Sequence, residues 1–217
     1  MKKNLSILMI DDHPMILEGY RNTLLQDGNF DFQIETANDC DEAIFKLERS
    51  DASYDLILLD IKIPPSANGR ILSGEDLGVY IKQKFSSTKI IILTMFSENI
   101  RLTNILKNIS PDALLIKSEL MPSELIEAIE LVMKDEKYYS ETIRKLTQKN
   151  HHFNLDDYDR RILYQLSIGT KTRHLVRYIP LSLGAIEKRK RKIKEVFGIN
   201  SGGDREILGK AKELGFL

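Results

Sequence analysis

The chain has 217 residues, 42% of them hydrophobic, which excludes a disordered polymer and allows one large domain or two small ones at roughly 150 residues per domain. Lys plus Arg and Asp plus Glu number 32 each, but the balance is uneven: residues 153–217 hold 14 basic and 8 acidic side chains, for +6, and the remaining 18 and 24 give residues 1–152 a charge of −6. The single cysteine, Cys40, excludes an internal disulfide and a multi-cysteine zinc site.

The opening MKKNLSILMIDDHP has a short apolar stretch and no small-residue cleavage site, so it does not read as a signal peptide and predicts a cytoplasmic protein. No apolar run approaches the roughly 18 residues of a membrane span. LSILMI (5–10) predicts a buried strand, and Pro14 opens a helix over 15–26. FQIETA (32–37) is a second strand and 41–48 a helix. DLILLD (55–60) is a third strand, apolar almost to its last residue. After a long loop come a helix (75–85), a fourth strand (89–94), a helix (98–108), a fifth strand (113–117) and a helix (122–134). This alternation predicts a doubly wound, flavodoxin-like α/β fold with a five-stranded parallel sheet over residues 4–134. Residues 135–152 read as a polar, partly helical linker, with His151 and His152 as solvated side chains. Residues 153–217 contain no strand-like run and predict a small all-α domain with helices at 156–168, 172–178, 182–197 and 203–214. Its core is expected from Ile162, Leu163, Leu166, Leu175, Ile179, Leu183, Ile186, Ile193, Val196 and Phe197.

Sites in a doubly wound sheet form at the carboxyl ends of the strands. Asp11 and Asp12 end the first strand, Asp60 the third, Thr94 the fourth and Lys117 the fifth. Neighbouring carboxylates repel and need a cation, and an all-oxygen cluster with few ligands suits Mg²⁺. A hydroxyl and an ammonium beside it fit a phosphoryl site.

The segments ILMIDDHP, LILLD followed by IP, ILT and LLIKS resemble the receiver domain of response regulators. The resemblance implies that Asp60 is the phosphoacceptor and that Thr94 and Lys117 contact the phosphoryl oxygens. It implies Mg²⁺ bound directly by Asp12, mainly through water by Asp11, by Asp60, and by the backbone carbonyl of Lys62. The sequence departs from the pattern in three places. Leu114 stands where the family usually has Tyr or Phe, Ser118 follows the lysine where many receivers carry proline, and the loop Ile61–Ser73 is long, with Gly74 as the equivalent of the family's loop glycine.

In SLGAIEKRKRKIKEVFG (182–198), Ser182 is a good N-cap and Gly198 a good stop. At about 100° per residue Ile186, Ile193 and Phe197 share one face, Lys188, Arg191 and Lys192 point away from it, and Arg189 and Lys190 flank the stripe. Six basic residues within 187–194, after a short helix and a Pro-containing turn, suit a recognition helix in the major groove. With LDDYDRRILYQLSIG before it and EILGKAKELGFL after it, the segment resembles the LuxR-type helix-turn-helix of the NarL/FixJ subclass. Glu187, His174 and Pro180 depart from the family's usual Lys, Glu and Gly, so base contacts are expected from Lys188, Arg191 and Lys192, and phosphate contacts from Arg189 and Lys190.

Together these imply a response regulator of a two-component phosphorelay, phosphorylated on Asp60 to control transcription. Its expected partners are a sensor histidine kinase or other phosphodonor, double-stranded DNA, and a second copy in an active homodimer, with no membrane. It is expected to be no dedicated enzyme beyond accepting the phosphoryl group and its own dephosphorylation. Leu114 and the long loop leave a second reading open: a phosphorylation-independent regulator whose receiver-like domain is a protein-interaction module. An Mg²⁺-dependent phosphatase ranks last, because a basic helical second domain makes a poor cap over a small substrate.

Overall fold

The computed structural model describes residues 2–49, 53–148 and 155–217; the linker histidines His151 and His152 lie outside the described residues. The first ten elements alternate: β1 (Lys3–Ile10), α1 (Pro14–Gln26), β2 (Phe30–Ala37), α2 (Cys40–Glu48), β3 (Leu56–Asp60), α3 (Gly74–Lys84), β4 (Lys89–Thr94), α4 (Asn99–Ile109), β5 (Ala113–Ile116) and α5 (Pro122–Val132). A two-residue β6 (Tyr138–Tyr139) and α6 (Glu141–Gln148) follow. All strand pairs are parallel, in the order β2-β1-β3-β4-β5-β6.

The sheet therefore has six strands, not five. β6 lies in the segment expected to be a linker and pairs Tyr138 with Ala113 and Tyr139 with Leu114. Two residues are too few to show a period of two in sequence. They are enough to cover the open edge of β5, where the Tyr138 and Ser140 amides donate to the carbonyls of Asp112 and Leu114, both at 3.2 Å.

Every residue of β3 is buried, as expected of a parallel strand covered on both faces. On one face Leu5, Ile7, Met9, Leu56, Leu58, Ile91 and Leu93 pack with Leu17 and Leu24 of α1 and with Leu125, Ile129 and Val132 of α5. Alternate residues such as Leu8, Ile10, Ile57, Leu59 and Ile92 are buried on the other face. The right-handed crossover rule assigns α2 and α3 to that side. Each helical crossover returns the chain to the same edge before the next strand, so the strands run parallel and their carboxyl ends share one edge.

The contacts divide the chain into two units, Met1–Met95 with Ile109–Gln148, and Phe96–Asn108 with Lys149–Leu217. The second contains most of α4, then α7 (Asp157–Ser167), a 3₁₀ segment (Thr172–Arg177), α8 (Leu183–Val196) and α9 (Asp204–Glu213). Its core joins Leu155, Ile162, Leu163, Leu166, Leu175, Ile179, Ile186, Ile193, Phe197, Ile207, Ala211 and Leu214, with Ile100 of α4 packed against it. Within this unit the Asn108 side chain donates to the Leu155 carbonyl at 2.8 Å, and the Arg101 guanidinium lies 4.3 Å from the Phe216 ring centroid. Leu183, expected in this core, is exposed, because it opens α8 one residue after the cap and precedes the buried stripe.

Candidate functional site

The sheet brings the predicted acidic residues together. Asp11 follows β1, Asp60 ends β3, Thr94 ends β4 and Lys117 follows β5. The Lys117 amide donates to the Thr94 carbonyl at 2.7 Å, which fixes the ends of β4 and β5 to each other. The Lys117 ammonium donates to Asp11 Oδ2 at 2.6 Å and to Asp60 Oδ2 at 2.7 Å, with all three side chains at least 94% buried. Asp60 Oδ1 accepts from the backbone amide of Lys62 at 3.2 Å. Burial pushes the Asp60 carboxyl above the ordinary carboxylate value, against the pull of the Lys117 hydrogen bond and charge.

His13, absent from the predicted set, joins the cluster. Its Nδ1 lies 2.7 Å from Asp12 Oδ1 and 3.2 Å from Asp11 Oδ1, and its amide donates to Asp11 Oδ1 at 3.0 Å. Ligand atoms of Asp11, Asp12, His13 and Asp60 all lie within 4.8 Å of one another. The signal was present in the DDH triplet, but a histidine after a strand has no chemistry until the strand end is placed. Three carboxylates against one ammonium leave two negative charges, so a divalent cation with oxygen ligands fits this donor set.

The long loop after Asp60 is folded back on itself. The Ser66 hydroxyl bonds to Asn68 Oδ1 at 3.0 Å and to the Ile71 carbonyl at 3.1 Å, and the Ala67 amide donates to Asp41 Oδ2 at 2.7 Å. Gly74 returns the chain to the site. A Cβ there would lie 1.9 Å from the Asp60 carbonyl oxygen, so only glycine lets α3 start against the Asp60 backbone. Leu114 is fully buried in β5, an aliphatic core residue at the position of the family's aromatic.

The basic helix α8 starts at the Ser182 cap, whose hydroxyl accepts from the Ala185 amide, and buries Ile186 and Ile193. Lys194 bonds to the Gly202 carbonyl, and the other five cations divide into two sets. Arg189 Nη1 reaches both oxygens of Asp156 at 2.7 Å and Asp159 Oδ1 at 2.9 Å, with its guanidinium 5.0 Å from the Tyr158 ring centroid. Lys192 bonds to Asp159 Oδ2 at 2.9 Å. Lys190 is 8% exposed and bonds to Asp204 Oδ1 and Thr172 Oγ1, both at 2.7 Å. Lys188 and Arg191 are exposed, with no side-chain partner among the described residues. Sequence reasoning missed Asp156 and Asp159. Each accepts the other's amide at 3.1 Å to cap α7, and the signal was their spacing of three just before an apolar run.

Residues 7–130 match the family described as response regulator receiver domain. Transcriptional regulatory protein RcsB of Escherichia coli (strain K12) is 28% identical over 152 residues, 67% of this chain and 64% of its own length, so this chain spans just under two thirds of that relative. A nitrate/nitrite response regulator protein homolog of Haemophilus influenzae is 23% identical over 206 residues, 93% of this chain and 94% of its own. Among solved structures, RcsB from Salmonella enterica serovar Typhimurium bound to promoter rprA in the presence of the phosphomimetic BeF3- superposes with a TM-score of 0.71 at 22% identity. That match covers 97% of this chain and 99% of the other and establishes a shared fold.

Proposed function

The chain belongs to the response regulator receiver family, and from that premise we propose that it is a DNA-binding response regulator of a two-component phosphorelay, controlled by phosphorylation of Asp60. Residues 4–134 form a flavodoxin-like receiver whose sheet is extended by β6 (Tyr138–Tyr139) and followed by α6, and 153–217 a LuxR-type helix-turn-helix of the NarL/FixJ subclass. The protein works in the cytoplasm, takes its phosphoryl group from a sensor histidine kinase or other phosphodonor, and binds double-stranded DNA as a homodimer. The observation that carries this reading is the buried ammonium of Lys117, bonded to both Asp11 and Asp60 where three strands end.

Asp60 is the nucleophile, and its attack on phosphorus yields an aspartyl phosphate while the bond to the donor breaks. Lys117 already touches the attacking carboxylate and moves with little reorganisation onto a phosphoryl oxygen, beside the Thr94 hydroxyl. Asp11, Asp12, Asp60 and the Lys62 carbonyl would hold Mg²⁺, which when bound would supply neutralisation of the charge on the transferred group. On α8, Lys188 and Arg191 face DNA, and Arg189, Lys190 and Lys192 act through the helix placement that their ion pairs maintain. RcsB structures on promoter DNA support the DNA-binding part.

The test is labelling by radioactive acetyl phosphate. Wild-type protein takes up one phosphoryl group and Asp60→Asn takes up none; retained labelling in the variant sinks the assignment. The fully buried Leu114 favours a second reading, in which DNA binding is independent of phosphorylation. Equal promoter affinity with and without phosphodonor, at fixed salt, would favour it over the first.

A further inference from the structure

His13 stands beside the strand-end carboxylates at the spacing of metal ligands. Two ligands at right angles on an octahedral ion with bonds of about 2.1 Å lie about 3 Å apart. His13 Nδ1 is 2.7 Å from Asp12 Oδ1 and 3.2 Å from Asp11 Oδ1, on either side of that value. One ligand atom each from Asp11, Asp12, His13 and Asp60 falls within 4.8 Å of the others, close to the width of one such shell. Lys117 does not compete for the same atoms. Its ammonium bonds to Oδ2 of Asp11 and of Asp60, whereas the imidazole approaches Oδ1 of Asp11 and of Asp12. We propose that His13 is a nitrogen ligand in this site and makes it selective for a divalent transition metal over Mg²⁺; the proposal rests on the reading that the strand-end carboxylates hold a divalent cation.

The local chain presents the ring. His13 is the N-cap of α1, yet its side chain makes no cap bond. Its amide donates to Asp11 Oδ1 at 3.0 Å, and its carbonyl accepts from the amides of Ile16 at 3.0 Å and Leu17 at 3.2 Å. Pro14 follows and restricts the His13 backbone to its extended conformation. The ring is therefore carried on a fixed backbone and turned to the carboxylates instead of its own helix. Its contact with them uses a proton on Nδ1, whereas a metal bond needs a lone pair there and the proton on Nε2. The side chain is 61% exposed, so water serves the ring in either tautomer. An exposed pair of this kind adds little to stability and is readily exchanged for a metal bond. Ligand chemistry then sets the metal. Mg²⁺ is a hard ion that takes oxygen ligands and gives up its waters reluctantly. Imidazole suits transition metals, whose affinity for mixed nitrogen and oxygen sites rises along the first row from Mn²⁺ to Cu²⁺. The carboxylates serve both kinds of ion, and the imidazole discriminates between them.

The experiment loads the full chain with Mn²⁺ and follows the ion by electron paramagnetic resonance. The signal of free Mn²⁺ gives its dissociation constant, and displacement by Mg²⁺ gives that of the competitor. Pulsed spectra of the bound ion, in protein carrying ¹⁵N only in its histidines, report a directly bound imidazole. Wild-type protein is expected to show histidine ¹⁵N coupling, and His13→Ala none. Because the ring is exposed, its removal leaves the core intact. His13→Ala should bind Mn²⁺ at least about tenfold more weakly, the lower end of what a disturbed metal shell loses. Its Mg²⁺ affinity should stay within about twofold of wild type, since that ion is held by oxygen. Absence of histidine coupling in wild-type protein, or coupling that survives in His13→Ala, overturns the proposal. So does an unchanged Mn²⁺ affinity in that variant. An equal loss of Mn²⁺ and Mg²⁺ affinity also overturns it and makes His13 a positioning residue for Asp12. Wild-type protein that binds neither ion, or Asp12→Ala that binds both as wild type does, overturns the cation reading itself and the nitrogen ligand with it.

Discussion

The acidic pocket holds three carboxylates against one buried ammonium, whereas α8 holds six cations, three of which are met by carboxylates of neighbouring elements and a fourth, Lys194, by the Gly202 carbonyl. At the strand ends every paired group is buried, whereas around α8 Asp159 and Lys190 are buried and their partners are partly exposed. Lys117 ties β1 to β3 through Asp11 and Asp60, and Asp159, fully buried, ties α7 to α8 through Arg189 and Lys192. The surplus is what remains for a ligand: negative charge at the strand ends, which attracts a cation, and positive charge at Lys188 and Arg191, which attracts phosphate. Buried pairing builds the scaffold, and the unmatched remainder of each sign sets the partner.

The comparison breaks most sharply at its two buried hubs. Lys117→Met leaves two buried carboxylates without a counter-charge and is expected to cost about 3 kcal/mol of stability at neutral pH by urea unfolding, as for other broken buried pairs. The same variant should lose labelling by acetyl phosphate. Unchanged stability would mean that water already screens the pair. Asp159→Asn keeps the shape of the α7 cap and removes the charge shared by Arg189 and Lys192, so about 2 kcal/mol is expected, in the range of a charged hydrogen bond.

Smaller effects separate paired from unpaired cations on one helix. Lys188→Ala should weaken promoter binding and reduce the slope of log affinity against log salt by about 0.9, the value for one lost phosphate contact. Lys190→Ala should leave that slope unchanged while lowering the melting temperature, because its ammonium is spent on Asp204 and Thr172. Equal slope changes in the two variants would mean that Lys190 also reaches phosphate.

The smallest effect is in pH. Burial alone would raise the Asp156 carboxyl, but the Arg189 hydrogen bond, the Asp159 amide and the charges of Arg189 and Lys192 together hold it below the ordinary 3.8. A carboxyl lowered on folding stabilises the fold above its ordinary value and loses that contribution as pH falls through its folded value. The stability gap between wild-type protein and Asp156→Asn, which keeps the cap but not the charge, should therefore be full at neutral pH and close below pH 3.8. A gap that persists at lower pH would assign the effect to cap geometry instead of charge.

Much of this was legible in one dimension. The apolar runs at 5–10, 56–59 and 90–93 could only be buried strands, and once they are parallel their last residues must share an edge. That logic places Asp11, Asp60, Thr94 and Lys117 along one edge, because strand direction and alternation are local properties of the chain. The fit of Gly74 against the Asp60 carbonyl, the closing strand at Tyr138–Tyr139 and the place of His13 depend on what lies opposite in space. So does the division of the basic helix. Arg189 and Asp156 are 33 residues apart, and no period in the sequence relates them. Sequence by itself determined that α8 is a cationic helix and that Asp60 stands at a strand end. Only the tertiary structure decided which cations are free and which carboxylates share Lys117, because pairing is governed by distance and burial and not by order along the chain.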